Sequence, residues 1–398
     1  MNLRHGSRIQ IRVRSEPNTS IDSNRPQHEQ LRLAAVDGLR LIAALMVAAY
    51  HFVGTPTPHF WGVAELRDVA PLLHGISRYG WLGVEFFFII SGFVICMSCW
   101  GRTPAQFTVS RIARLFPAYW CAVLLIVVFV LIARMGHWPA ATHIDPRTVL
   151  GNLTMAPGPM GLDLVAGVSW TLWVEARFYL LMAVLLISGL SYRRMVVFCG
   201  AWLLSGVFAL ELQSSLLNEL ALTRYTGLFV AGIVLYLMRR FGQNLLLWLL
   251  LSFAWCYELT VLQFRVTDHV TASPSEGQPS WTVCATVITL CLGLLALTGV
   301  GPLAALQWRW LVTAGSLTYP FYLVHQSIGI PLAKGLFKAA PDLGLLPSMS
   351  LSLMCMLGLA ALIHTAVERR LGRFLRHHLT LAARPQASPR SMAPARTR

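Results

Sequence analysis

The chain has 398 residues, of which 56% are hydrophobic and 12% charged, and its mean hydropathy is +0.59. A soluble domain carries about twice that share of charged residues, so the composition excludes a soluble globular protein. Apolar runs of membrane-spanning length recur along the chain and predict an all-α, polytopic integral membrane protein. The net charge of +15 lies mainly in the two ends and in alternate loops. We therefore expect contact with membrane lipid and no nucleic-acid partner.

Three segments are predicted from the distribution of apolar residues. Residues 1–30 hold no apolar core, so they are not expected to be a signal peptide. They are expected to form a disordered, basic cytoplasmic tail. Residues 31–376 are predicted to form one transmembrane domain. Residues 377–398, rich in Arg, Pro and Ser, are expected to be a second disordered cytoplasmic tail.

Ten spans are predicted, at about 34–53, 79–99, 115–133, 166–187, 195–210, 222–238, 244–262, 281–299, 310–332 and 348–367. An even number of spans puts both termini on one side of the membrane. Arginine is concentrated in both ends and in every second loop, so the positive-inside rule places that side in the cytoplasm. The longest outer loops are 54–78, 134–165 and 263–280, and loops of this length often carry binding function.

Arg40 and His51 stand in one apolar run, Ala34–Val53. Eleven helical steps bring His51 to within about 20° of the face of Arg40. The two residues are then separated by roughly 16 Å along the helix axis. An ionisable residue at mid-helix costs about 2.5–3.5 kcal/mol on insertion scales and indicates function. The pair is typical of the wall of a polar path. The alternative is an Arg that snorkels to the headgroups and a His that caps the far end.

Three more ionisable residues lie inside predicted spans, at depths similar to that of His51. Glu85 lies early in the second span, Glu175 is near the middle of the fourth with Tyr179 on its face, and His325 lies in the outer half of the ninth. Each alone is explained by a hydrogen bond between helices. Four such residues at matching depth favour a catalytic or binding site.

Arg111 and Arg114 form an RxxR pair one helical turn apart on the predicted cytoplasmic side. The pair fits positive-inside charge. It also fits a phosphate clamp, because Arg is a bidentate donor to phosphate. No glycine-rich phosphate loop accompanies it, so side-chain charge would hold such a ligand.

Cys96 and Cys99 have the spacing of a redox or metal motif. They lie in an apolar helix without nearby His, so we predict no metal site. The remaining cysteines frame no soluble loop, so we predict no disulfide scaffold.

Five segments resemble acyltransferase family 3, whose members include O-antigen and exopolysaccharide O-acetylases. They are VDGLRLIAALMVAAYHF, GVEFFFIISGFVI, SRIARLFPAY, SWTLWVEARFYLL and SLTYPFYLVHQS, in the family's order between residue 34 and about residue 330. The chain has Glu85 where the family usually has Asp, so the carboxylate is kept.

The resemblance implies an O-acyltransferase of the bacterial inner membrane with no resident cofactor. It implies transfer of an acyl group, acetyl by family resemblance, from cytoplasmic acyl-CoA to a hydroxyl of an extracytoplasmic or membrane-linked carbohydrate. By motif match, Arg40 and His51 are the essential pair, and Arg111 and Arg114 bind the CoA end. Asp37, in the first motif, is grouped with the substrate-binding residues, as is Tyr179.

The mechanistic hypothesis gives His51 the role of general base on the acceptor hydroxyl. Glu175 or Glu85 is expected to orient His51 and to stabilise its imidazolium. His325 or Tyr179 is expected to donate to the oxyanion. A covalent acyl-His51 intermediate is the alternative route.

A proton-coupled transporter or flippase is the alternative function, because histidines and carboxylates inside spans also serve as proton relays. It predicts related halves and paired broken helices, and the sequence shows no such repeat. It also gives no role to the RxxR pair. The identity of the acceptor and the oligomeric state are left open.

Overall fold

The computed structural model describes residues 33–55, 66–135, 144–272, 279–305 and 308–382, and within them all regular secondary structure is helical. Helices satisfy their own backbone hydrogen bonds, which the interior of a bilayer requires. By backbone contacts, the described residues form one compact unit. The predicted tail 1–30 lies outside the described residues.

The first eight α-helices are α1 (Ala34–Ala49), α2 (Leu66–Val69), α3 (Pro71–Ser77), α4 (Gly83–Cys99), α5 (Pro104–Met135), α6 (Pro146–Leu153), α7 (Trp170–Ile187) and α8 (Tyr192–Glu211). The other eight are α9 (Ser215–Ala221), α10 (Thr226–Phe241), α11 (Leu245–Ala272), α12 (Trp281–Gly299), α13 (Arg309–Val324), α14 (Ile330–Ala339), α15 (Leu345–Leu362) and α16 (Arg369–Ala382). Three π-helical turns, Tyr50–Gly54, His325–Gly329 and Ile363–Glu368, continue α1, α13 and α15.

Nine helical segments in the described part of the chain are long and apolar enough to cross a membrane, and each covers one predicted span to within one residue. They confirm the all-α integral membrane protein. The tenth predicted span, 310–332, is also helical and runs through α13 and its π turn into α14. It is more polar, because Tyr319, His325 and Gln326 lie near its middle. The cytoplasmic placement of the termini stays a prediction.

Several predicted boundaries are wrong because helices continue beyond their apolar runs. The predicted loop 263–280 begins inside α11, which extends to Ala272 and contains Arg265. The predicted loops 54–78 and 134–165 contain the short helices α2, α3 and α6. At the C-terminal end, α16 runs through the predicted boundary at residue 377 and packs on α5. A Cβ on Gly372 would lie 2.8 Å from the carbonyl oxygen of Ala113.

The centre of the fold is the contact between α4 and α10. Every residue of α10 from Thr226 to Met238 is buried. A Cβ on Gly92 would lie 2.1 Å from the carbonyl oxygen of Phe229, and one on Gly232 would lie 2.0 Å from that of Ile89. The two backbones therefore touch through reciprocal glycines, as small residues allow between membrane helices.

Glycines also bring α1 against α13 and α4. A Cβ on Gly315 of α13 would lie 2.5 Å from the Cβ of Asp37, and one on Gly83 would lie 2.5 Å from the carbonyl oxygen of Ala43. These close approaches bring together the helices that carry His51 and His325.

We expect Gly232→Ala to lower the free energy of unfolding by about 1–3 kcal/mol, because the added methyl group overpacks a backbone contact. Thermal unfolding of the purified protein in detergent measures the loss. Gly293→Ala is the matched control, since nothing lies within 4 Å of a Cβ placed there. Equal melting temperatures for the two variants would contradict the packing described for α4 and α10.

Candidate active site

Two cavities lie side by side in the helical core. The larger, of about 360 Å³, is here called the histidine chamber, and its lining includes His51, Glu85, Trp170, Tyr225, Arg265 and Gln326. The smaller, of about 90 Å³, is here called the arginine chamber, and its lining includes Arg40, Ser91, Arg111, Arg114, Glu175 and Tyr179. Two residues, Val84 and Tyr322, line both chambers. They form the wall between them.

The rings of His51 and His325 are in direct contact. His51 Nδ1 lies 3.0 Å from His325 Nε2, and the ring centroids are 5.1 Å apart. His325 is fully buried behind His51, and its own Nδ1 lies 2.8 Å from the backbone oxygen of Tyr322. Both ring nitrogens of His325 therefore have partners within the protein.

These contacts determine where the ring protons lie when both imidazoles are neutral. A carbonyl oxygen only accepts, so the Nδ1–H of His325 donates to Tyr322. His325 Nε2 is then an acceptor, and His51 Nδ1–H donates to it. This arrangement leaves His51 Nε2 with its lone pair on the side of the ring away from His325. It is the arrangement that a general base requires.

Both histidines lie in π-helical turns. His51 is the second residue of Tyr50–Gly54, and His325 is the first residue of His325–Gly329. Single π turns within α-helices occur frequently at functional sites, because the extra residue changes the direction in which side chains project. Here the two turns face each other across the contact between α1 and α13.

A buried ionic cluster lines the other side of the histidine chamber. Arg265 donates from Nη2 to Glu258 Oε1, and its Nε lies 3.4 Å from Glu85 Oε1. All three side chains are at most 6% exposed. The cluster holds one more carboxylate than guanidinium, and Glu85 Oε2 accepts no hydrogen bond from the described residues.

A second ion pair lies where the histidine chamber meets the surface. Arg224 donates from Nη1 to Asp268 Oδ2, and the two side chains are 56% and 50% exposed. Both residues line the chamber. The backbone oxygen of Arg224 also accepts a hydrogen bond from Arg265, so the surface pair and the buried cluster are connected.

Cationic side chains dominate the arginine chamber. Arg40 pairs with Asp37, with Nη1 3.2 Å from Oδ1. Arg111 stacks on the ring of Tyr179 at 5.9 Å, and among the described residues neither Arg111 nor Arg114 forms an ion pair. This chamber can accept an anionic group from outside the protein.

Glu175 lies in the arginine chamber, and its Oε1 accepts a hydrogen bond of 2.8 Å from Ser91. It was predicted to lie beside His51, since the two have similar depth. Depth does not determine the direction in which a helix presents a side chain, and α7 presents Glu175 to α4. Glu85 shares the histidine chamber with His51, but its ion pair is with Arg265.

The predicted site residues thus fall into two groups. The histidine chamber brings together His51 and Glu85, and His325 contacts the His51 ring from behind the lining. The arginine chamber holds the rest of the set, with Asp37 beside Arg40: Arg40, Arg111, Arg114, Glu175 and Tyr179. In the structure the hydrogen-bond partner of the His51 ring is His325, where a carboxylate was expected. The catalytic roles of these residues stay predictions.

Sequence reasoning missed Glu258 and Arg265. They lie seven residues apart on α11, which is close to two helical turns, so they project from nearly the same face. An acidic and a basic residue at that spacing inside a hydrophobic helix signal an internal pair. The signal was lost because the span was ended at residue 262.

Comparisons with known proteins give two similarities over most of the chain. Residues 33–365, which include both chambers, match the family model described as an acyltransferase domain. The acyltransferase MdmB of Streptomyces mycarofaciens is 27% identical over 392 residues, covering 89% of this chain and 95% of that relative. No solved structure matches the chain.

We expect Arg265→Met to destabilise the protein by about 3–5 kcal/mol, because it leaves two buried carboxylates without their counter-ion. Arg224→Met is the matched control. It breaks a half-exposed pair, so its cost is about 0–1 kcal/mol. Thermal unfolding in detergent compares the two, and equal losses would contradict the buried cluster.

Proposed function

The chain belongs to acyltransferase family 3, and on that basis we propose that it transfers an acyl group from acyl-CoA to a carbohydrate hydroxyl. The protein is an integral membrane acyltransferase. Our proposal adds that the donor is cytoplasmic acetyl-CoA, that the acceptor is extracytoplasmic or membrane-linked, and that the membrane is a bacterial inner membrane. The observation that carries the proposal is the junction of a cationic chamber with a chamber that contains a histidine base. Family membership favours this reading over a transporter or flippase.

The arginine chamber supports an acyl-CoA donor. Arg111 and Arg114 have no carboxylate partner among the described residues, so they are available to the phosphates of CoA. The pantetheine arm is uncharged and slim. It can extend past Arg40 toward the wall of Val84 and Tyr322 and carry its thioester to the histidine chamber.

The histidine chamber supports a polyhydroxylated acceptor. Its lining combines aromatic rings, such as Trp170 and Tyr225, with a few polar groups, as ligand sites generally do. Two residues of its lining, Glu85 and Gln326, each have a buried acceptor atom, Oε2 and Oε1, that receives no hydrogen bond from the described residues. Hydroxyl groups of a sugar supply the donors that such atoms need.

In the proposed reaction the acceptor hydroxyl oxygen attacks the thioester carbonyl carbon while its proton passes to His51 Nε2. The carbonyl π electrons move to the oxygen and form a tetrahedral intermediate. The electron pair on the oxygen then re-forms the C=O bond as the C–S bond breaks, and the sulfur leaves with the electron pair of that bond and takes the proton back from His51. The products are the ester and the free thiol of CoA.

His325 has the role that an aspartate has in a serine hydrolase triad. It accepts a hydrogen bond from His51 Nδ1–H, which holds the ring in one tautomer. When His51 takes up the proton, the lone pair of His325 Nε2 still faces that N–H and stabilises the imidazolium. Because the two chambers can hold donor and acceptor together, transfer is direct, without an acyl-His51 intermediate.

We expect His51→Ala to lower kcat by about 10²–10⁴-fold, the contribution of a general base. We expect His325→Ala to lower it by a smaller factor, because it removes only the orienting partner. The assay uses purified protein in nanodiscs with acetyl-CoA and an oligosaccharide acceptor. His377→Ala, at an exposed position on α16, controls for loss of an imidazole.

Near-normal turnover by His51→Ala would overturn the proposed function. Direct transfer also requires that radiolabelled acetyl-CoA leave no label on the protein when acceptor is omitted. Stable labelling of His51 would favour the covalent route.

We expect the double variant Arg111→Ala, Arg114→Ala to raise the KM for acetyl-CoA at least tenfold, with a smaller change in the KM for the acceptor. Each lost charged hydrogen bond removes about 1.5–3 kcal/mol of binding. The control removes two exposed arginines elsewhere, Arg193→Ala with Arg309→Ala. An equal rise in both double variants would show a general effect of charge and contradict a phosphate clamp.

A further inference from the structure

The proposed reaction puts negative charge on the thioester oxygen, and a preorganised hydrogen-bond donor aimed at that oxygen stabilises this charge. Two donors were expected from the sequence, His325 and Tyr179. Both ring nitrogens of His325 are already bonded, one to His51 and one to the backbone of Tyr322. Tyr179 lines the arginine chamber with Glu175, and it does not line the histidine chamber. The donor to the oxyanion therefore has to be another residue.

The place of the carbonyl follows from the two chambers. The thioester arrives from the arginine chamber, while His51 and the acceptor hydroxyl occupy the histidine chamber. The carbonyl carbon must therefore lie at the wall that the chambers share. Among the described residues, only Val84 and Tyr322 belong to both linings, and of these two only Tyr322 has a polar hydrogen on its side chain.

We infer that Tyr322 is a catalytic residue whose phenolic O–H donates a hydrogen bond to the thioester oxygen as it becomes an oxyanion. This inference rests on the proposed function. The proton stays on the phenol, since the catalytic proton travels between the acceptor hydroxyl, His51 and the departing sulfur. A backbone or side-chain donor of this kind contributes about 10²–10³-fold in kcat.

The hydroxyl of Tyr322 can turn to the substrate without leaving another buried group unsatisfied. In the structure it lies 3.2 Å from the backbone oxygen of Val168 and 3.1 Å from Thr171 Oγ1. The same Val168 oxygen accepts a hydrogen bond of 3.0 Å from Thr171. When the Tyr322 hydroxyl turns away, the backbone oxygen of Val168 therefore still accepts a hydrogen bond from Thr171. The hydrogen bond from Tyr322 is not needed to satisfy that oxygen.

The ring of Tyr322 is held firmly. It is 6% exposed and packs edge-on against Phe87, with the ring centroids 5.6 Å apart. Its backbone oxygen accepts the hydrogen bond from His325 Nδ1. One residue thus orients the histidine pair through its main chain and presents a donor through its side chain. The positions of the general base and of the oxyanion donor are therefore fixed relative to each other, as preorganised catalysis requires.

The test is Tyr322→Phe, which removes one oxygen and keeps the ring. We expect kcat to fall about 10²–10³-fold while the KM for acetyl-CoA, the KM for the acceptor and the thermal stabilisation by CoA stay within about twofold. Tyr257→Phe is the matched control. Tyr257 is also buried and its hydroxyl donates to a backbone oxygen, that of Thr223, at 2.8 Å, but it lines neither chamber. We expect its kcat to stay within about twofold of the parent protein.

Fluorotyrosine at position 322 gives a second measurement that a purely structural hydroxyl would not affect. Fluorination changes the acidity of the phenol with little change in shape, so kcat should vary with the number of fluorine atoms. The inference is overturned if Tyr322→Phe keeps kcat within fivefold, or if it loses CoA stabilisation in parallel with kcat. In either case a low kcat of His51→Ala would leave the proposed function intact, whereas an active His51→Ala would remove both.

Discussion

The hydrogen bond between the rings of His51 and His325 is the contact that most of the site geometry depends on. It joins residues 274 positions apart, and it forms because glycine contacts bring α1 against α13. His325 is fully buried, so the partners of its ring nitrogens must come from the protein. The carbonyl of Tyr322 holds His325, and His325 holds His51. A single backbone oxygen thereby determines which nitrogen of His51 is basic.

The charges around this pair are separated in space. Arg111 and Arg114, which form no ion pair with the described residues, lie in one chamber, and the buried ionic cluster of Glu85, Glu258 and Arg265 lies beside the other. This separation suits the proposed donor, which has an anionic nucleotide at one end and a neutral acyl group at the other. Attraction to the two arginines favours the nucleotide end in the arginine chamber, with the acyl end toward the histidine chamber.

The fold could be predicted from the sequence, because apolar runs of membrane length leave few choices beside helices. The depth of His51 and His325 also followed from spacing, since the rise of a helix is constant. The hydrogen-bond partner of His51 could not be predicted in this way. The rotation of a helix about its axis depends on packing, here at Gly38 and Gly315, and on π turns that have no simple sequence signal. Glu175 shows the same gap, because the direction of its side chain, toward Ser91 of α4, did not follow from its place in the sequence. Arg265 was assigned to a loop because its neutralisation by Glu258 is invisible in an average of hydropathy.

The wall of Val84 and Tyr322 has a consequence for the membrane itself. A polar passage through a membrane protein dissipates ion gradients when it stays open to water. Here the linings of the two cavities share an aliphatic side chain and a packed aromatic ring. Apolar groups are poor partners for ions, so the shared wall opposes the passage of ions from one cavity to the other.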